Sequence, residues 1–148
     1  HTLDDFTYLC AVEDLCSRRI VGWATSQKID AELALAALDQ AVALRRPPSG
    51  LIVQAIVDRK PGLSPELAKH SIVQSMSRKG NCYDNAPMES FYRSFKVEEV
   101  YHKKYETHEH ATRCVVDYIE RFYNRNRMHS SLDYLSPIDF ELRLRKSK

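Results

Sequence analysis

The 148-residue sequence lacks the marks of several protein classes. No apolar run approaches the roughly 20 residues of a membrane-spanning helix, which points away from a membrane protein. The opening HTLDDFTYL has neither the basic start nor the apolar stretch of a secretory signal. Cys10, Cys16, Cys82 and Cys114 form no C-x-x-C pair, and they read as free thiols in a reducing, cytoplasmic compartment. There is no internal repeat and no low-complexity tract, so solenoid and disordered architectures are set aside. Net charge is only +2, too little to announce a nucleic-acid partner by itself.

What is present is an ordinary globular chain. Hydrophobic residues make up 43% and charged residues 28%, enough for one compact domain with a core. Charge is unevenly placed. Residues 1–74 hold 8 Lys+Arg against 9 Asp+Glu, and residues 75–148 hold 14 against 11. The basic side is concentrated in Arg78-Lys79, Lys103-Lys104, Arg125 with Arg127, and residues 143–146. Basic pairs in loops and at helix ends suit phosphate contacts, and the alternative is a solvated surface.

The pattern predicts a strand over residues 6–13, covered on both faces, a turn at Asp14–Arg18, and a returning strand over 19–25 with Trp23 in the core. Asp30 is placed to cap a helix over AELALAALDQAVALR, with Leu35, Leu38 and Val42 on its inner stripe, and the Pro47–Gly50 stretch ends it. LIVQAIV (51–57) is a buried strand that delivers Asp58 at its end. Ser64-Pro65-Glu66 starts a helix, and 72–76 is a short strand.

Beyond a polar loop, Asn85 caps a helix with Pro87 in its first turn. Met88, Phe91, Tyr92 and Phe95 follow helical spacing on one face, while Glu89, Arg93 and Lys96 follow it on another. A later helix over about 108–124, capped by Thr107, turns Ala111, Val115, Tyr118 and Phe122 inward. A polar, basic connection runs from Asn124 to Ser136, and Ser136-Pro137 starts a last helix. The order of elements is that of an α/β fold with a mixed sheet, in which sites gather at strand ends and helix starts. Asp58 and Glu89 both sit at such points.

Two carboxylates without a Cys/His cage suit a hard cation such as Mg²⁺. Two such ions can activate a nucleophile and hold the leaving oxygen of a phosphodiester. Arg93 and Lys96 would meet the phosphate backbone. The alternative role for Glu89 is to complement the positive end of its helix, worth about 0.3–1 kcal/mol. His110 and Cys114 have metal-ligand spacing on a helix but no second ligand pair nearby. Tyr101, Tyr105, Tyr118 and Tyr123 are candidates for stacking on bases or for the core. Arg125, Arg127 and His129 are candidates for DNA backbone contact or for helix C-capping.

The segment QSMSRKGNCYDNAPMESFYRSFKVEEVY closely resembles the signature of bacterial insertion-sequence transposases with a retroviral-integrase-like catalytic core. YLCAVEDLCSRRIVGWA resembles that family's central hairpin, and YIERFYNRNRMHSSLDYLSPIDFE its C-terminal signature, with Tyr123, Asn124, Arg127, His129, Leu132 and Pro137 in register. The resemblance covers nearly the whole chain. It implies a ribonuclease-H-like mixed sheet flanked by helices, and a single partial catalytic core over 1–148 with 124–148 as a basic C-terminal extension. It implies Mg²⁺ or Mn²⁺ as cofactor, with nicking and strand transfer at transposon ends as activity. Asp58 and Glu89 match the second and third acids of a D, D, E triad, and Lys96 matches a basic residue expected on donor DNA. With Arg78, Lys79, Arg93, Arg125 and Arg127 it makes up the expected DNA-contacting set. Expected partners are transposon-end and target DNA, and either self-association or a full-length transposase.

The sequence also departs from the family. The family's opening strand, which carries the first catalytic Asp, aligns upstream of His1, so the sheet is expected to lack its first strand. A rival alignment makes Asp5 that acid. The family's H-S-D-R-G-S-Q-Y becomes Ala55-Ile56-Val57-Asp58-Arg59-Lys60-Pro61-Gly62, and Pro61 fixes φ and removes an N–H at the turn. Thirty residues separate Asp58 from Glu89, fewer than the family's norm. A catalytically inactive remnant that binds DNA or a full-length transposase is the alternative reading. No recognition helix is legible, so end-specific binding is expected from another segment or partner. An uncovered strand edge predicts self-association or marginal stability.

Overall fold

A β-hairpin forms the hinge of the architecture, with one helix packed on one face and the later helices on the other. The computed structural model describes residues 6–47, 52–55, 73–76 and 86–148. Strands β1 (Tyr8–Glu13) and β2 (Ile20–Ser26) pair antiparallel. Asp14 closes the turn as expected. Its Oδ1 accepts the N–H groups of Cys16 (2.9 Å) and Ser17 (3.2 Å), while its own N–H donates to the Arg19 carbonyl at 2.8 Å. The sequence pattern predicted β1 to be covered on both faces, but it is half-buried along its length.

The pairing carries a bulge. Val12 faces Gly22 and Glu13 faces Ile20, so β2 spends one more residue than β1 there. The extra residue reverses the alternation, which puts Ile20 on the same side as Trp23 and leaves Gly22 turned to the other side. Gly22 meets helix α1 (Ala31–Arg45), where a Cβ would lie 2.1 Å from the Ala37 carbonyl oxygen and 2.9 Å from the Ala41 Cβ. Only hydrogen fits at that position. This contact sets the inner face of α1, whose buried residues are Leu33, Ala37, Leu38 and Ala41. The expected stripe of Leu35, Leu38 and Val42 is therefore rotated, because small alanines and not the largest side chains meet the strand. Asp30 caps α1 as expected, accepting from the Leu33 N–H at 3.0 Å, and Arg46 ends it in the left-handed region.

Strands β3 (Ile52–Ala55) and β4 (Val73–Met76) pair in parallel. Among the described residues, the hairpin and this pair form separate two-stranded sheets. Together they supply both strand senses of the expected α/β architecture. The expected helix beginning at Ser64 lies outside the described residues.

Helix α2 (Ala86–Glu98) lays Phe91 and Phe95 into the core, with Met88 and Tyr92 packed against it, as its spacing predicted. Helix α3 (His108–Val116) is capped by Thr107, whose side chain accepts from the His110 N–H at 3.1 Å. It then widens into a π-helical stretch over Asp117–Tyr123, in which the Asn124 N–H reaches the Ile119 carbonyl (3.0 Å) and the Arg127 N–H reaches that of Phe122 (2.7 Å). The extra residue per turn replaces Phe122 by Tyr123 on the inner stripe. Phe122 is 41% exposed and Tyr123 is buried. A 3₁₀ turn (Ser130–Leu132) leads to helix α4 (Pro137–Lys146), where Ser136 caps through the Asp139 N–H and Pro137 fills the first position.

The core joins Ile20, Phe91, Phe95, Val115, Tyr118, Ile119 and Tyr123. Phe91 meets Tyr123 edge-on at 4.9 Å between ring centroids. Asn124 is buried beside them. Its Oδ1 accepts the Ile20 N–H (2.9 Å), its Nδ2 donates to the Ile20 carbonyl (3.0 Å), and its backbone carbonyl accepts from the Ile138 N–H (3.0 Å). Residues 124–148 thus pack back onto the hairpin. Glu141 of α4 holds Ser17, Arg19 and Arg45 together. Burial alone would raise its carboxyl, but hydrogen bonds from Arg45, Ser17 and Arg19 outweigh that and hold it below the usual carboxylate range.

Glu13 ends the same face of β1 that carries Leu9 and Ala11 inward. Its side chain is 1% exposed, Arg18 approaches it only to 4.0 Å, and its Oε2 has no partner. Burial pushes its pKa up to about 7, against a small opposing pull from Arg18.

Two expectations follow. Asn124→Ala strips partners from a buried N–H and a buried C=O at once and should cost roughly 3 kcal/mol in urea unfolding; a loss under about 1 kcal/mol would show that the clamp is dispensable. Because the folded-state value of Glu13 is raised, the stability it contributes is fully present below about pH 4.5 and is lost as pH rises through about 7. Glu13→Gln should accordingly gain on the parent chain between pH 5 and pH 8 in thermal melts, and parallel pH profiles would refute this.

Candidate nucleic-acid interface

Helix α2 divides its side chains by spacing. One stripe is the core face, and the other carries Glu89, Arg93 and Lys96, all exposed. Glu89 lies in the first turn, where it complements the positive helix end, and Lys96 lies in the last. These side chains border a groove of about 570 Å³ lined also by Tyr92, Val97 and Tyr101. A carboxylate and two cations therefore share one open surface. None of the three makes an ion pair within the described residues.

The floor of this groove is anchored. The Tyr92 hydroxyl donates to the Leu9 carbonyl at 3.3 Å, and burial pushes its pKa up to about 12. After α2, the chain makes a 3₁₀ turn over Val100–His102. Val100 packs on the core, and Glu99 is buried and bridged to Lys103 at 2.8 Å. Tyr101 is left pointing outward and is 72% exposed. Tyr105, Tyr118 and Tyr123, the other tyrosines weighed for base stacking, are buried.

Arg127, one of the expected DNA contacts, is engaged by protein groups. Its Nε donates to both oxygens of Glu98 (2.9 and 3.1 Å), its Nη2 donates to Ser94 Oγ (2.9 Å), and its guanidinium lies 5.8 Å from the Tyr123 ring centroid. Glu98 also accepts from the Tyr118 hydroxyl at 2.7 Å. Arg127 thus ties the end of the π-helical stretch to α2. The only trace of this in the sequence was the i, i+4 spacing of Ser94 and Glu98. Arg125, by contrast, is exposed. His129 stacks edge-on against Tyr123 (5.0 Å), and burial, helped by Arg127 and Arg18, lowers its pKa to about 4. It is a half-buried ring, and its lowered pKa favours the neutral form.

Asp58, Arg78, Lys79 and the alternative acid Asp5 lie outside the described residues. Among the described residues, no group of three or more His, Cys, Asp or Glu is gathered as a metal would need. His108 and His110 have other partners: Thr7 Oγ1 at 3.1 Å and the Glu106 N–H at 3.3 Å. No helix among them is long and apolar enough to cross a membrane.

Two family models described as integrase core domain match the chain, one over residues 2–82 and one over residues 70–137. The chain is 42% identical over 143 residues to the transposase for insertion sequence element IS904 of Lactococcus lactis, covering 95% of this chain and 56% of that protein. It is 40% identical over 145 residues to transposase InsF for insertion sequence IS3A of Escherichia coli, covering 95% and 50%. An insertion element IS600 uncharacterized 31 kDa protein of Shigella sonnei is 39% identical over 146 residues, covering 94% and 52%. The chain spans about half the length of these curated relatives.

Arg127→Ala should destabilise the chain by about 1–2 kcal/mol, since it removes charge-assisted bonds to Glu98 and Ser94, whereas Arg125→Ala should stay within about 0.5 kcal/mol of the parent. Chemical unfolding compares them, and equal effects would mean the Arg127 contacts contribute nothing.

Proposed function

The chain belongs to the integrase core domain family, and from that premise we propose that it carries out metal-dependent phosphoryl transfer on DNA, nicking and joining strands at transposon ends. The observation that carries this reading is the shared groove of Glu89, Arg93 and Lys96 on α2. The family's ribonuclease-H-like fold places a helix start at such a site, and here the helix presents an oxygen donor together with two phosphate-binding side chains.

Each residue has a separable task. Arg93 and Lys96 hold the phosphodiester backbone, one as a planar fork and one as a point charge. Their spacing along one helix face fixes the strand relative to Glu89. Arg127, through Ser94 and Glu98, keeps α2 in place beneath them. Glu89 suits a hard cation, being an exposed oxygen donor that no described cation neutralises. The described residues supply this one carboxylate, and Asp58 is the proposed second ligand. Bound Mg²⁺ or Mn²⁺ supplies activation of the attacking oxygen and neutralisation of charge at phosphorus. The protein's own share is positioning and electrostatic complementarity. Arg78, Lys79 and Arg125 belong to the proposed DNA-contacting set.

Calorimetric titration with Mn²⁺ tests the reading without a DNA substrate. Binding by the parent chain should weaken at least tenfold in Glu89→Gln and in Asp58→Asn. Binding indifferent to both substitutions would sink the assignment and favour an inactive relative of the family.

A further inference from the structure

Among the exposed large hydrophobic side chains of the described residues, Tyr101 is the most exposed, at 72%. It is not carried on a loose segment. Val100 beside it packs on the core, the His102 N–H donates to the Glu99 carbonyl at 3.3 Å, and the Lys103–Glu99 ion pair (2.8 Å) braces the turn. An ordered turn therefore holds an aromatic ring in water, on the same groove as Arg93 and Lys96, with half-exposed Val97 next to it.

Two cations bind phosphates whatever the base. A ring adds something only if a base face can reach it, and in the interior of an intact duplex both faces of every base are already stacked. Aromatic platforms beside a basic groove are the means by which proteins hold unpaired bases. We infer that Tyr101 stacks on an unpaired base, so that the DNA taken by this groove is an end whose terminal bases are splayed apart. This rests on the proposed reading of the groove as a DNA site, and it adds to that reading the state of the DNA that is bound. Splaying costs least at a duplex terminus, where a base has one stacking neighbour instead of two. Arg93 and Lys96 then hold the phosphates of the strand whose base Tyr101 receives.

Fluorescence anisotropy with the full chain and two labelled duplexes of the same sequence tests this. One duplex is paired to its end and the other has mismatched terminal bases. The parent chain should prefer the mismatched end. Tyr101→Ala should lower affinity for the mismatched end about tenfold more than for the paired one, and Tyr101→Phe should keep the preference. Equal effects of Tyr101→Ala on both duplexes, or none on either, overturn the inference. Lys96→Ala and Arg93→Ala should weaken both duplexes alike and lessen the salt dependence of each. If those two variants change neither, or if the parent chain binds neither duplex, the reading of the groove falls and the inference with it. Tyr101 lies at the surface, so an unchanged melting temperature verifies that its variants are folded.

Discussion

The packing depends on one amide side chain. Asn124 closes both backbone hydrogen bonds of Ile20 beside the bulge, accepting from its N–H and donating to its carbonyl. A buried peptide unit without partners is costly, and few side chains other than an amide present a donor and an acceptor side by side. The same residue ends the π-helical stretch and accepts from α4 through its backbone carbonyl. Hairpin, π-helical stretch and last helix therefore meet at a single residue. Helix α2 is packed within this frame by Phe91 and Phe95, and the exposed face of α2 is where the proposed chemistry takes place.

Local chemistry was legible in the sequence. Asp14 in its turn, Asp30, Thr107 and Ser136 as caps, and the inner stripe of α2 follow from the nearest few residues, and each stands in the structure. What failed depended on distant partners. The inner face of α1 was misplaced because Gly22, far along the chain, selects alanines over leucines. Phe122 was placed inward because a period of 3.6 does not allow for a π turn. For the site, the grouping of Glu89, Arg93 and Lys96 could be read from helical spacing. The engagement of Arg127 could not, since Glu98 and Ser94 stand about thirty residues away.

The modest net charge of +2 conceals how the cations are distributed. Arg19 and Arg45 are held by Glu141, Arg127 by Glu98, and Lys103 by Glu99. The Glu141 and Glu98 pairs bind separate elements to one another, and the Lys103–Glu99 pair braces its own turn. Arg93 and Lys96 have no such counter-ion among the described residues, so the local charge of the groove is set by these two side chains and Glu89 and not by the total of the chain.

The widened turn over Asp117–Tyr123 takes up one residue more than an ordinary helix would over the same arc. Removing one residue there would restore α winding and leave the turns on either side in register. Asn124 would keep its place beside Ile20, and Arg127 its place beside Glu98. In an alignment, the extra residue looks like a harmless insertion, and within this fold it is one. Relatives built on the same clamp are therefore expected to differ by a residue between the positions of Thr107 and Asn124 without losing it.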